Sequence, residues 1–297
     1  MAISLVDSSY GKSRVRLTKV TRTPQRHELK ELTVNIQLQG EFDRSYTDGD
    51  NSQIVATDTM KNTVYALAAK HPVNNIESFA KHLCEHFLSR NTHIGATSVE
   101  IAEELWQRID SNGKPHEHAF VGGNKEKRVT HVDCIRGGIT VESGIEDLFV
   151  LKTTDSEFTG FIRDEFTTLP EAKDRIFATS VAAYWVYKTD NCDFDKNYAT
   201  VRKILLDVFA AHHSLAVQQT LFEMGKKVLD SCNDIEEIHI SMPNQHRIAF
   251  DLSRFGMQNN NEIFVPTDEP YGLISATIGR STSGTASDKV AELSAKR

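Results

Sequence analysis

The order strand, helix, helix, strand occurs twice along this chain at comparable spacing, and that duplication restricts the fold more than any single motif. In the first copy, Leu32, Val34, Ile36 and Leu38 alternate with Thr33, Asn35, Gln37 and Gln39, the period of a strand with one buried face. A preceding strand spans Lys12 to Val20 and ends at a Thr23-Pro24 turn, and Asp43 to Ser52 reads as a loop. Thr57 and Asp58 are suited to cap a helix carrying Val64, Leu67 and Ala68. A second helix follows Pro72 with Ile76, Phe79, Ala80, Leu83 and Phe87 at helical spacing, and Val99 to Ile109 returns to strand. Lys114 to Thr154 reads as short β runs broken by Gly122-Gly123 and Gly137-Gly138. In the second copy, Val181 to Tyr187 is a strand. Tyr198 to Phe209 and Leu215 to Leu229 are helices, the latter capped by Ser214, and Ile235 to Met242 and His246 to Leu252 are strands. The pattern predicts an α+β fold of two tandem modules, residues 1–145 and 146–280, each with a sheet that needs a partner on its open face. Residues 281–297 turn to Ser, Thr, Gly, Ala and charge, the composition of a flexible tail.

Charge narrows the class of partner. With 34 basic and 41 acidic side chains the formal net charge is -7, and there is no strongly basic block to neutralise phosphates, which argues against nucleic acid. No apolar run is long enough to cross a bilayer and Met1 to Tyr10 does not resemble a signal peptide, so no membrane partner is expected and a cytoplasmic location is. Four cysteines without a Cys-x-x-Cys spacing fit reduced thiols rather than a zinc ribbon or a disulfide framework.

Several side chains suit chemistry, each with a plainer reading beside it. On a strand, Asn244, His246, Ile248 and Phe250 share one face, which sets a carboxamide and an imidazole beside apolar groups; a turn asparagine and an interior histidine are the alternative. Arg175 follows Pro170-Glu171, where a proline suits the first turn of a helix; its planar fork suits a planar anion, or else it pairs with Asp174 or Glu171. Gln218 lies early in a helix, where its amide could read a heterocycle's lactam edge or face solvent. Phe158 could stack on a flat ligand or fill a core. Lys12 becomes a base only if burial or cationic neighbours lower its pKa. His116 and His118 have a His-x-His spacing used by some metal sites, with solvated loop histidines as the competing reading.

Taken in order, these segments resemble a known family. Tyr10-Gly11-Lys12, Val55-Ala56-Thr57-Asp58-Thr59 with Lys61-Asn62-Thr63, and Gly113-Lys114-Pro115-His116-Glu117-His118 come first. Phe158-Thr159-Gly160-Phe161, Thr167-Thr168-Leu169 with Asp174-Arg175-Ile176, Val217-Gln218, Pro243-Asn244-Gln245-His246 and Gly272-Leu273-Ile274 follow. Their order is similar to that in the urate oxidase (uricase) family, over about residues 10 to 280.

The resemblance implies the tunnelling fold: two β-β-α-α-β-β modules with antiparallel sheets and helices on the outer face, assembling as a homotetramer around a β-barrel tunnel. It implies oxidation of urate by dioxygen to 5-hydroxyisourate and hydrogen peroxide without metal or organic cofactor, in pockets shared between subunits. Lys12, Thr57 and His246 then resemble the family's proton relay. Thr57, Asp58, Phe158, Leu169, Arg175, Val217, Gln218, Asn244 and Ile274 resemble its substrate-binding set. Gln245 stands where many relatives carry lysine, on the strand position facing away from Asn244 and His246. The ending Ala295-Lys296-Arg297 lacks the Ser-Lys-Leu address of peroxisomal relatives, so a bacterial-type cytoplasmic enzyme is expected. A metal-dependent purine or pterin hydrolase using His116 and His118, and a non-catalytic purine-binding protein, are the competing functions.

Overall fold

The computed structural model describes residues 3–280; the expected tail lies outside them. Eight strands form one sheet in the order in which they occur along the chain: β1 (Tyr10–Arg22), β2 (His27–Gly40), β3 (Ile94–Ser111), β4 (Lys114–Ile135), β5 (Gly138–Lys152), β6 (Phe177–Tyr187), β7 (Ile235–Ala249) and β8 (Phe264–Gly279). Every neighbouring pair is antiparallel. Between β2 and β3 lie α1 (Asp43–Thr47), α2 (Thr57–Lys70) and α3 (Ile76–Arg90); between β6 and β7 lie α4 (Phe194–Ala211) and α5 (Val217–Ser231). The arrangement is thus β-β-α-α-β-β twice, with α1 a single added turn. β4 passes to β5 through Arg136-Gly137, and residues 145 and 146 both lie within β5.

Strand alternation explains the core. Leu32, Val34, Ile36 and Leu38 of β2, Val99 and Ile101 of β3, Val132 of β4, Val181, Ala183 and Trp185 of β6, and Ile238, Ile240 and Met242 of β7 are buried in one cluster with the apolar sides of α2 to α5. The opposite face is polar and open. At one level across it, Asn35, Glu100, His131 and Glu142 are successive cross-strand partners. They line a furrow of about 370 Å³ together with Glu146 and Tyr184. Burial in that furrow raises the Glu142 pKa above the usual carboxylate value, against the opposing effect of His131 and His239.

Local features depart from the sequence reading for identifiable reasons. β4 runs unbroken through Gly122-Gly123, because Gly123 lies so near the Leu105 carbonyl that a Cβ would stand 2.4 Å from its oxygen; glycine here permits close strand approach. Neither helix near the candidate site is capped as expected. Ala56 and Ala216 hold the N-cap positions of α2 and α5 without a side-chain bond. Ser214 instead donates to the Ala216 carbonyl and accepts from the Thr220 hydroxyl. Residues 170–176 form an extended loop rather than a helix, held by backbone pairing of Ala172 with Phe158. β7 is one strand, with Phe250 beyond its end, and β8 was not foreseen.

The two modules are joined by buried charge. Glu77 of α3, fully buried, accepts from Arg128 of β4 at 2.8 Å and from Ser143 of β5 at 2.5 Å. Arg128 also reaches Asp195 of α4 at 2.6 Å and lies 4.6 Å from the Tyr198 ring centre. Nearby, buried Glu126 accepts two bonds from Arg202 of α4. Removing Arg128 leaves the buried Glu77 carboxylate with the Ser143 hydroxyl but no counter-charge. The substitution Arg128→Met should therefore lower stability by about 3–5 kcal/mol, read as a large fall in Tm, whereas an unchanged Tm would show that Glu77 is neutralised some other way.

Candidate active site

Two groups of the singled-out side chains gather at opposite edges of the sheet. The first is built on β1 and the start of α2. Gly11 lies so close to β2 that a Cβ would meet the Ile36 carbonyl oxygen at 1.8 Å, so only glycine lets β1 pair here and set the adjacent Lys12. The Tyr10 hydroxyl accepts a bond from the Val55 amide at 2.8 Å, tying the segment before α2 to the start of β1. Thr57 and Asp58 are exposed in the first turn of α2, where helix amide donors have no intrahelical acceptor. The Asp58 carboxylate is bonded by Lys61 and Asn62, and Lys61 first, with Lys12 contributing, holds its pKa below the usual value. Lys12, Thr57 and Asp58 therefore form one local cluster.

The second group converges from four segments around the Arg175 loop, α5, β7 and β8. Arg175 directly precedes β6, and its guanidinium carbon lies 5.3 Å from the centre of the Phe158 ring. Phe158 stacks on Phe161 at 4.9 Å with only 11° between ring planes. The expected alternative partners of Arg175 are engaged elsewhere: Asp174 accepts from Thr154 at 2.9 Å, and Glu171 from the Gly160 amide at 3.0 Å. Arg175 Nε is buried with no hydrogen-bond partner among the described residues, and desolvation lowers the guanidinium pKa from its ordinary value. A half-buried cation beside an aromatic face, with no carboxylate to neutralise it, is suited to an anionic planar ligand.

Backbone pairing joins the remaining members to Arg175 and Phe158. The Phe158 segment is tied to the start of α5 by Ser156 pairing with Ser214 and by a 2.7 Å bond from the Glu157 amide to the Ser214 carbonyl. That contact positions Val217, buried, and Gln218, exposed, in the first turn of α5. Asn244 of β7 pairs with Thr179 of β6 and Gly272 of β8, while Ile274, half-buried, pairs with Met242. Between Asn244 and His246 the register shifts, with His246 pairing with Thr267, so the extra residues bulge from β8 opposite Gln245 while β7 itself continues as strand. His246 is exposed, as is Leu169 in the loop before Arg175.

Sequence reasoning missed Tyr10 as the anchor of the Thr57 segment and the Ser156–Ser214 tie. Both were visible only as ordinary residues inside longer motifs. His116 and His118 lie far along the β3–β4 hairpin from either group. Their rings are 4.6 Å apart, the His118 amide donates to His116 Nδ1, and Arg108 bonds the carbonyls of His116 and Glu117. Among the described residues no group of three or more His, Cys, Asp or Glu is placed to hold a metal ion, and no helix is long and apolar enough to cross a membrane.

Comparison with known proteins supplies the family. The model of the uricase family matches residues 8–133 and 141–275, two segments that flank the turn from β4 to β5. Uricase from Arthrobacter globiformis is 45% identical over 278 residues, covering 94% of this chain and 90% of the relative. Uricase from Aspergillus flavus is 42% identical over 289 residues, covering 92% and 96%. The crystal structure of the Arthrobacter globiformis uricase superposes with a TM-score of 0.91 over 96% of this chain and 98% of that one. A urate oxidase structure from Bacillus sp. TB-90, 27% identical, gives 0.81 over 92% and 100%. The double β-β-α-α-β-β sheet is thus the α+β tunnelling arrangement, and the chain belongs to the uricase family.

Proposed function

We propose that this chain oxidises urate with dioxygen and water to 5-hydroxyisourate and hydrogen peroxide, at pockets that combine the Lys12 half of one subunit with the Arg175 half of another. The observation that carries this reading is the uncompensated Arg175 guanidinium beside the Phe158 ring. Urate is flat, anionic and edged with amides. Arg175 and Gln218 match its pyrimidine edge, Phe158 its face, and Val217, Leu169 and Ile274 its apolar surroundings. The free amides at Thr57 and Asp58 suit the imidazolone edge, where a helix N-terminus favours negative charge. A purine lacking one of these carbonyls leaves a buried donor unpaired, at a cost of about 1–3 kcal/mol.

Ground-state dioxygen is a triplet and does not add in one step to a singlet molecule, so urate must first give up one electron. Deprotonation makes that transfer easier. Lys12, Thr57 and His246 form the relay in this reading, with the Thr57 hydroxyl passing protons between amine and imidazole. Asn244, with Thr57, holds first dioxygen and then the attacking water above the ring. The substrate is the electron source, so the reaction calls for no redox cofactor and no metal.

Topology supports sharing between chains. Lys12 is on β1, and Asn244 and His246 are on β7, six strand spacings or about 29 Å away along the sheet. β1 and β8 pair on one side only among the described residues, leaving two long edges that another chain can cover. Exposed Ile162 and Phe166 of the loop between Phe158 and Arg175, and Leu273 next to Gly272, add apolar surface on the segments of the Arg175 half. The assembly in this reading is a homotetramer whose polar sheet faces line a tunnel. The four free cysteines of each chain are compatible with a cytoplasmic setting.

The decisive assay follows urate absorbance and oxygen uptake together: both should fall on adding the purified protein, whereas bound but unconsumed urate would make it a purine-binding protein. Arg175→Lys keeps charge but loses the planar fork, so kcat/KM should collapse with Tm retained; unchanged kinetics would remove Arg175 from the site. Lys12→Met and Arg175→Ala should each be inactive alone. Refolded together, they should recover part of the activity, because some mixed pockets receive both intact halves. A verified mixed oligomer as inactive as its parents would mean that each chain builds its own site.

A further inference from the structure

One buried polar group at this site has no place in the proposed mechanism. Thr179 is fully buried, and its hydroxyl has no hydrogen-bond partner among the described residues. Buried hydroxyls are nearly always bonded, so an unpaired one next to a functional side chain calls for a reason. Its level in the sheet is informative. Across β5, β6, β7 and β8 the partners are Val150, Thr179, Asn244 and Gly272. Directly paired residues of an antiparallel ladder project to the same face with Cβ atoms about 5 Å apart. On one side of Thr179 is an aliphatic side chain; on the other is the Asn244 carboxamide. On the far side of Asn244, a Cβ added at Gly272 would meet nothing nearer than a methyl of Ile274 at 3.7 Å. Asn244 thus has a hydroxyl behind it and open space in front.

A carboxamide presents an acceptor at one end and a donor at the other, in nearly the same shape. Which end faces a ligand depends on what holds the opposite end. We propose that Thr179 is a positioning residue for the oxygen chemistry: its buried hydroxyl, unbonded in the free chain, rotates to donate to the Asn244 carbonyl when dioxygen binds and so turns the Asn244 NH2 toward it. Charge accumulates on that oxygen as it is reduced, and a fixed donor stabilises it there. The inference rests on the reading that Asn244 holds dioxygen, and it adds the group that decides the orientation of the amide.

Thr179→Val removes the hydroxyl at nearly constant volume. Deleting an unbonded buried hydroxyl should not lower Tm, so a structural defect is separable from a functional one. Steady-state rates at varied dioxygen should show kcat/KM for dioxygen down about tenfold, the equivalent of one lost hydrogen bond. Inhibition by xanthine, which presents a similar pyrimidine edge, should be unchanged. Thr179→Ser should recover most of the loss, and Thr179→Val should add nothing to the defect of Asn244→Ala. Unchanged dioxygen kinetics in Thr179→Val, with Asn244→Ala impaired, would overturn the role of Thr179 alone. Unchanged dioxygen kinetics in Asn244→Ala would overturn the reading of Asn244 and this inference with it. A Thr179→Val loss that appears equally in xanthine inhibition and in Tm would make the residue structural.

Discussion

A carboxylate sealed from water at the junction of the two modules is the constraint from which the remaining geometry follows. Glu77 projects from a helix of the first module onto Arg128 and Ser143, and Arg128 continues to Asp195 on a helix of the second. A buried charge tolerates little displacement, because any partner that moves away leaves an unsolvated ion. The helices of both modules are therefore tied to the middle of the sheet. With the middle fixed and the ladder continuous, the separation of β1 from β7 and β8 is fixed too, and so is the distance between the two halves of the candidate site.

Much of the first half of the fold is legible in the residues because burial there is one-sided. β2 and α3 show their period plainly, since each packs one face on the core and presents the other to water. β8 leaves no such trace. Most of its residues are exposed in the single chain, so no alternation of apolar and polar residues records its two faces. Its role is set by contacts that one chain does not contain. The capping residues mislead for a different reason: Thr57 and Ser214 are good caps in isolation, yet Ala56 and Ala216 hold the N-cap positions of α2 and α5, and neighbouring segments bond the entry loops instead.

The candidate site is named by the resemblance far more than by the physics of its residues. Read alone, the Arg175 segment suggests a helix and offers Asp174 or Glu171 as a partner; the segment is a loop, and Asp174 and Glu171 turn to Thr154 and Gly160. Asn244 and His246 keep the two-residue step of one strand face, but opposite them β8 steps from Gly272 to Thr267. An irregularity of that kind re-aims side chains without marking the sequence. Thr179 left no signal at all, because a threonine on a core-facing strand position is indistinguishable from one that merely fills space.

The unneutralised guanidinium of Arg175 also bears on how this protein responds to selection or engineering. Holding a desolvated cation without a counter-charge is a standing debt of the empty fold, settled only when an anion arrives. Mutations that fill or neutralise that place would register as improvements in any screen for heat resistance, and, on the proposed role of Arg175, the same mutations would silence the protein. Thermostability gained at the inter-module junction, away from Arg175, is free of that conflict. On that reading, robustness and activity pull in opposite directions at Arg175.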